Sequence, residues 1–440
     1  MKRLKYLIVG AVATLAVITA ISLLASFDRD ERLRTKQYDD MTELEEAREG
    51  VRLNPGLVQL SQLSKAVFFL ENSASMFGYI NGFTEYVDVV SELAEKPEFV
   101  EHKISREFFF VNGGAKLHIN RIGDSPEYLK TKLNEHGYRC GDISKSNLNG
   151  MFQLALSKAK HDTISILISD AIYDIGQPQA PMNALATEGR ETRSRFIERL
   201  SEGHLQTIII KLTSSFNGYY YPVTGGRSKI NQQRPFYIWI FGDSKLLNKY
   251  FPDSYIKSLK GFTDVARFLI TDEVHIPYQV TAHNTIGRFR FDKKNKNKLV
   301  NAETDKHGRG FQFTLAVNYS GLPFSDSYYN NPENYYVSNP NYTVTNVCNI
   351  GDIQLFGLPF TPTHLITLST DKHPTAMLKV SLLNNVPNWI EETNIDEENS
   401  IAGDTNHTFG FKFLTEAIVE AYQHIDKKNT IETFSIEIKR

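Results

Sequence analysis

Three short, largely apolar runs constrain this chain more than anything else in it. They are Ala66-Val67-Phe68-Phe69-Leu70, Phe108-Phe109-Phe110-Val111 and Ile164–Ile168. Each is too short for a helix. An extended segment that is apolar at successive positions needs cover on both faces, as in the buried strands of a parallel sheet. Helix-like spacing follows the first run over Phe83–Leu93 and precedes the third over Met151–Ala159, and it returns at Arg193–Leu200. Thr207–Leu212 and Phe236–Phe241 read as further strands. Strands alternating with helices predict an α/β fold, a mostly parallel sheet with helices on both faces.

Composition narrows the classes of function. With 41% hydrophobic and 23% charged residues, the chain has enough apolar material to fold. Its 49 Lys and Arg are balanced by 51 Asp and Glu. That balance leaves no excess of basic charge to face phosphates, so nucleic acid is not an expected partner. Cys140 and Cys348 are too few for a disulfide framework or an all-cysteine zinc site, and they read as two free, buried thiols.

The order of segments predicts four regions. Residues 1–27 read as a transmembrane anchor: Leu7–Phe27 carries no charge and is long enough to span, with Lys2, Arg3 and Lys5 before it. This predicts a single-pass protein of the cell (inner) membrane, with most of the chain on the extracytoplasmic side. Residues 28–62 are charge-rich and read as a stalk, with a turn at Asn54-Pro55-Gly56. Residues 63–262 hold the α/β pattern. In residues 263–440 the period becomes strand-like, as at Phe311–Val317 and Met377–Leu383, with a late helix over Phe409–Tyr422. This last region is expected to be a mostly β, sandwich-like domain.

Three segments carry the candidate chemistry. Glu71-Asn72-Ser73-Ala74-Ser75 follows the first buried strand. Ser146-Asn147-Leu148 enters a helix. Ser169-Asp170 ends the third apolar run. In an open α/β sheet ligands bind beyond the carboxyl ends of the strands, where two of these segments lie. Two carboxylates and several hydroxyls are hard oxygen donors of the kind that suit Mg²⁺ or Mn²⁺. Taken singly, Ser73, Ser75 and Ser146 are equally good helix caps, Asp170 a turn residue and Asn72 an alternative oxygen donor.

This pattern resembles the von Willebrand factor A domain, whose metal-ion-dependent adhesion site has the form Asp-x-Ser-x-Ser, then a loop Thr, then an Asp ending a later strand. Here Glu71 stands where the family has Asp, with Ser73 and Ser75 following. Ser146 stands for the Thr, and Asp170 supplies the last carboxylate. The resemblance covers roughly residues 63–262. It implies a Rossmann-like fold, a divalent-cation site formed by Glu71, Ser73, Ser75, Ser146 and Asp170, and a protein partner that donates an acidic residue to the cation across the α/β crevice.

Two other functions use the same residues. A metal-dependent hydrolase, phosphoesterase-like, would make Ser73 a nucleophile. A structural envelope subunit would carry the site as a vestige. The segment Gly218-Tyr219-Tyr220-Tyr221-Pro222 reads either as a hairpin packed on the sheet or as partner-facing surface, since Tyr is enriched at interfaces. Arg234-Pro235-Phe236 reads as core.

Overall fold

The apolar runs all become strands. In the computed structural model they lie in β1 (Lys65–Glu71), β2 (Ser105–Asn112) and, after β3 (His118–Gly123), β4 (Thr163–Ser169). The structure describes residues 62–440 apart from 177, 224, 271–275, 323, 397–405 and 428–429. The expected membrane anchor and nearly all of the expected stalk lie outside the described residues. Among the described residues, no helix is long and apolar enough to cross a membrane.

With β5 (Gln206–Tyr220), β6 (Ser228–Gly242) and β7 (Phe262–Phe268), these strands form one seven-stranded sheet of order β3-β2-β1-β4-β6-β5-β7. Successive side chains enter opposite faces, which is why the runs are continuously apolar. On one face Phe68, Leu70, Phe108 and Ile166 pack against Tyr86, Val89, Val90 and Leu93 of the helix Glu85–Ala94. That helix begins where Thr84 accepts a hydrogen bond from the Val87 amide (3.3 Å). On the other face Val67, Phe69, Leu167 and Trp239 meet the helices Leu148–Lys158, Pro181–Ser201 and Phe411–Asp426.

The sheet is mixed, not mostly parallel as expected. β1 runs parallel to β2 and to β4. The pairs β2–β3, β4–β6, β5–β6 and β5–β7 are antiparallel. The cause is local: β5 and β6 are two arms of one long hairpin, closed through Gly225 and Gly226, both at positive φ. A hairpin inserts its second arm antiparallel, and β6 takes the place beside β4.

The expected division at 262/263 does not follow the hydrogen bonding either. Phe262–Phe268 adds to the first sheet as β7, and the late helix belongs to that sheet's core. Phe411 stacks on Tyr237 with ring centroids 4.4 Å apart, and Tyr422 Oη lies 2.9 Å from Thr207 Oγ1. The remaining C-terminal strands are β-rich as expected. A four-stranded antiparallel sheet runs β13 (Thr343–Asn349), β14 (His364–Thr370), β11 (Phe311–Val317), β8 (Tyr278–Ile286). A five-stranded sheet runs β12 (Tyr335–Val337), β15 (Ala376–Leu383), β18 (Thr430–Ile438), β10 (Lys298–Glu303), β9 (Arg288–Phe291). Phe313 and Leu315 from one sheet share an apolar cluster with Val380, Phe434 and Ile436 from the other. A two-residue parallel pair joins β16 (Asn394–Ile395) to β17 (Thr408–Phe409). The two cysteines are free as expected, but both are half-buried rather than buried.

If the C-terminal helix is part of the first core, Phe411→Ala should cost about 3–5 kcal/mol, the usual price of deleting a buried phenyl ring. Met377→Ala, at a position 70% exposed in the C-terminal sheets, should stay within about 0.5 kcal/mol. Urea unfolding followed by tryptophan fluorescence measures both.

Candidate functional site

Parallel pairing places the three candidate segments together. β2, β1 and β4 are neighbours running the same way, so their carboxyl ends share one edge of the sheet. Glu71 is the last residue of β1, and Asp170 directly follows β4. Ser146 is held beside the end of β2 through a parallel bridge to Gly113, with Asn147 N donating to Gly113 O (2.9 Å). Asn147 then caps the next helix by accepting from Gly150 N (2.8 Å). Ala74 N donates to Ile143 O (2.8 Å), which ties the serine loop to the Ser146 loop.

At the centre is the Glu71 carboxylate. Its Oε1 accepts from Ser73 Oγ (2.7 Å) and Ser146 Oγ (2.6 Å), and its Oε2 accepts from Ser169 Oγ (2.6 Å). Ser73 Oγ lies 3.0 Å from Ser75 Oγ. Ser75 in turn hydrogen-bonds the Asp170 carboxylate. All five expected residues, Glu71, Ser73, Ser75, Ser146 and Asp170, therefore belong to one connected network. The capping alternative fails for two of the serines. Ser73 precedes the 3-10 turn Ala74–Ile80 without a side-chain cap bond, and the helix after Ser146 is capped by Asn147. Asp170 does serve its turn, accepting from Ile172 N (3.3 Å). Asn72 directs its amide nitrogen away from the network, to the carbonyls of Tyr138 (2.9 Å) and Cys140 (3.0 Å).

Two residues of the site were not singled out as its members from sequence. Ser169 completes the hydroxyl set around Glu71 and also receives Ala171 N (2.8 Å), where Ala171 turns through φ +58°. Its only signal was adjacency to Asp170. Arg234, read as core, is indeed 4% exposed, but it is the buried cation whose charge favours ionised Asp170. Its guanidinium lies 4.5 Å from the Tyr220 ring centroid.

The electrostatics are those of two like charges out of water. Glu71 is 1% and Asp170 4% exposed. Burial, and then the charge of Asp170, push Glu71 from 4.5 up to about 7, against the three serine hydrogen bonds that favour the anion. Burial likewise holds Asp170 above the ordinary carboxylate range.

Above the network opens a cleft of about 520 Å³, lined by Ser73, Ser75 and Ser146 on the polar side and by Ile172, Tyr173, Tyr221 and Pro222 among its apolar residues. The hydroxyls reach the cleft, and the carboxylates lie behind them. Among the described residues no three His, Cys, Asp or Glu side chains gather, so a cation here would have only two carboxylates and serine oxygens to bind it. No protein-family model matches the chain, and no curated protein is significantly similar to it in sequence.

The raised Glu71 fixes a sign for pH dependence. Between about 4.5 and 7 the folded protein keeps a proton that the unfolded chain has released. This contribution to stability is complete at low pH and is lost as pH rises through about 7. In EDTA, wild type should lose on the order of 2–3 kcal/mol between about pH 5 and pH 8 relative to Glu71→Gln, which has no proton to lose there. Paired denaturant titrations across that range measure it, and parallel curves would refute it.

Proposed function

We propose that this chain is a membrane-anchored, von Willebrand factor A-like protein-binding module that holds Mg²⁺ or Mn²⁺ at the cleft floor and engages an acidic residue of its partner. One observation carries the reading. Ser73 and Ser146 donate their protons inward to Glu71, and Ser75 is bonded to Asp170. An ionised carboxylate only accepts, so each serine bonded to it must donate and is left with lone pairs for another partner. Three serine oxygens at the floor of a cleft, backed by two anions, form a hard-oxygen site for a small divalent cation that retains several waters. A cation there would also neutralise the like-charge repulsion between Glu71 and Asp170.

The two departures from the family pattern are compatible with this role. With Glu in place of Asp, one carboxylate collects the hydroxyls of Ser73, Ser146 and Ser169. Ser in place of Thr supplies the same oxygen without the methyl group. Binding is favoured over hydrolysis because both Glu71 oxygens are engaged and the carboxylate does not line the cleft. Among the described residues that line it there is no imidazole to take a proton from Ser73.

The test is thermal unfolding of the full-length protein in detergent with EDTA, Mg²⁺ or Mn²⁺. At 100 times Kd, a cation should stabilise wild type by about 2.7 kcal/mol, a shift of several degrees. Asp170→Asn and Ser73→Ala should each abolish most of the shift. Superimposable wild-type curves in all three conditions would overturn the reading.

A further inference from the structure

The loop between β13 and β14 presents apolar side chains that the described fold does not cover. Ile350, Ile353, Leu355, Phe356, Leu358 and Phe360 fall within one short stretch of it. None of them is buried, and Phe356 is 90% exposed. Among the described residues none packs against the three apolar clusters of the fold. Single exposed apolar residues are ordinary, but a run of them in one loop marks a contact surface. The base of the loop is held: Ile350 N donates to Thr363 O (2.9 Å), and Thr363 N donates to Val317 O (2.8 Å). The tip stands clear. Gly357 turns through φ +75°, and a Cβ there would meet open space. Asp352 is the one charged side chain of the loop, and no Asp, Glu, Lys or Arg follows it until after Thr370.

Basic charge lies at the same end of the four-stranded sheet. The row Asn349–His364–Val317–Tyr278 crosses the strands where the loop leaves them. Asn297, in the turn between β9 and β10, donates to Tyr278 O (3.4 Å) and accepts from Val280 N (2.9 Å). The turn is therefore seated at this end, on the β8 side. Asp292 shapes it by accepting from Lys294 N (2.9 Å) and Asn295 N (3.1 Å). Lys293, Lys294 and Lys296 are exposed on it and have no ion pair among the described residues, whereas Lys298 pairs with Glu437 (3.2 Å).

We propose that this end of the C-terminal sheets docks on an anionic lipid surface, with the apolar loop entering the acyl boundary and the three lysines facing the headgroups. Charge selects this occupant. Apolar burial and attraction of cations to anionic headgroups add at a bilayer surface. Protein interfaces, in contrast, are depleted in Lys. A bilayer is also within reach: the expected anchor ends at Phe27, and residues 28–61 span at most about 120 Å when fully extended. The proposal is independent of the cation site.

Phe356→Trp tests it in the full-length protein, reconstituted into vesicles of phosphatidylcholine and phosphatidylglycerol in equal parts with brominated acyl chains. The emission added by the substitution, read as the difference from wild type, should shift to the blue and lose most of its intensity to bromine. Brominated vesicles of phosphatidylcholine alone should quench it far less. Adding Lys293→Gln, Lys294→Gln and Lys296→Gln together should reduce quenching in the mixed vesicles to that lower level. Phe83→Trp, at a fully exposed position just before the helix Glu85–Ala94, should not be quenched. No quenching at position 356, equal quenching at positions 83 and 356, or quenching indifferent to both phosphatidylglycerol and the lysines would overturn the proposal. A blue shift in detergent that grows with protein concentration would also overturn it, and would assign the loop to a second copy of the chain.

Discussion

The cleft depends on one buried carboxylate. Glu71 ends the central parallel strand, and three hydroxyls from three different segments converge on it: Ser73 from its own loop, Ser146 from the loop beside β2, and Ser169 from the end of β4. The bonds from Ser146 and Ser169 join distant parts of the chain, so the carboxylate acts as a knot at the sheet edge. A buried ionised group without partners is too costly to keep. Here the three donors keep the pKa near 7 instead of far above it, and the group stands at the point where a proton or a cation can decide its charge.

The parallel core around that knot, β2-β1-β4, is the part of the fold the amino-acid sequence displays most openly. Burial on both faces forces apolar residues at every position, and such runs are visible without knowing their neighbours. The same holds for Glu71, Ser73, Ser75, Ser146 and Asp170, because polar residues that interrupt an apolar pattern at strand ends stand out. What was not visible depends on partners far apart in sequence. β6 looks like any other strand until the hairpin closing at Gly225-Gly226 sets its direction. The helix Phe411–Asp426 has an apolar face, but only Tyr237 and Thr207, some two hundred residues earlier, say which core it enters. Ser169 is one more small residue in a buried strand until β1 is laid beside it. Arg234 sits among Pro and Phe and reads as core; its charge matters because Asp170 lies near it.

The hairpin links these two levels. Its length past the sheet is a backbone property, fixed by continuous pairing between β5 and β6. Its angle over the site is a side-chain property, fixed by the absence of side chains at Gly78 and Gly218. Because that contact is made by the turn carrying Ser75, a change in either glycine would move the apolar wall and the serine floor relative to each other. Floor and wall therefore form one preorganised surface, which lowers the ordering cost of any ligand that spans both.

The site's charge balance explains why a buried pair of acids is tolerable there at all. Arg234 offsets one negative charge from inside the protein. The second can be removed by a proton on Glu71, or would be offset by a cation seated on the serine oxygens. The two exclude each other electrostatically, because a cation favours the ionised pair and a proton weakens the field that attracts it. The serines serve in either state: they donate to an ionised Glu71, and a protonated Glu71 would donate to one of the same hydroxyls. A network of this kind can hold one geometry through a change of counter-charge, and the cleft would then keep its shape while the charge at its floor changes.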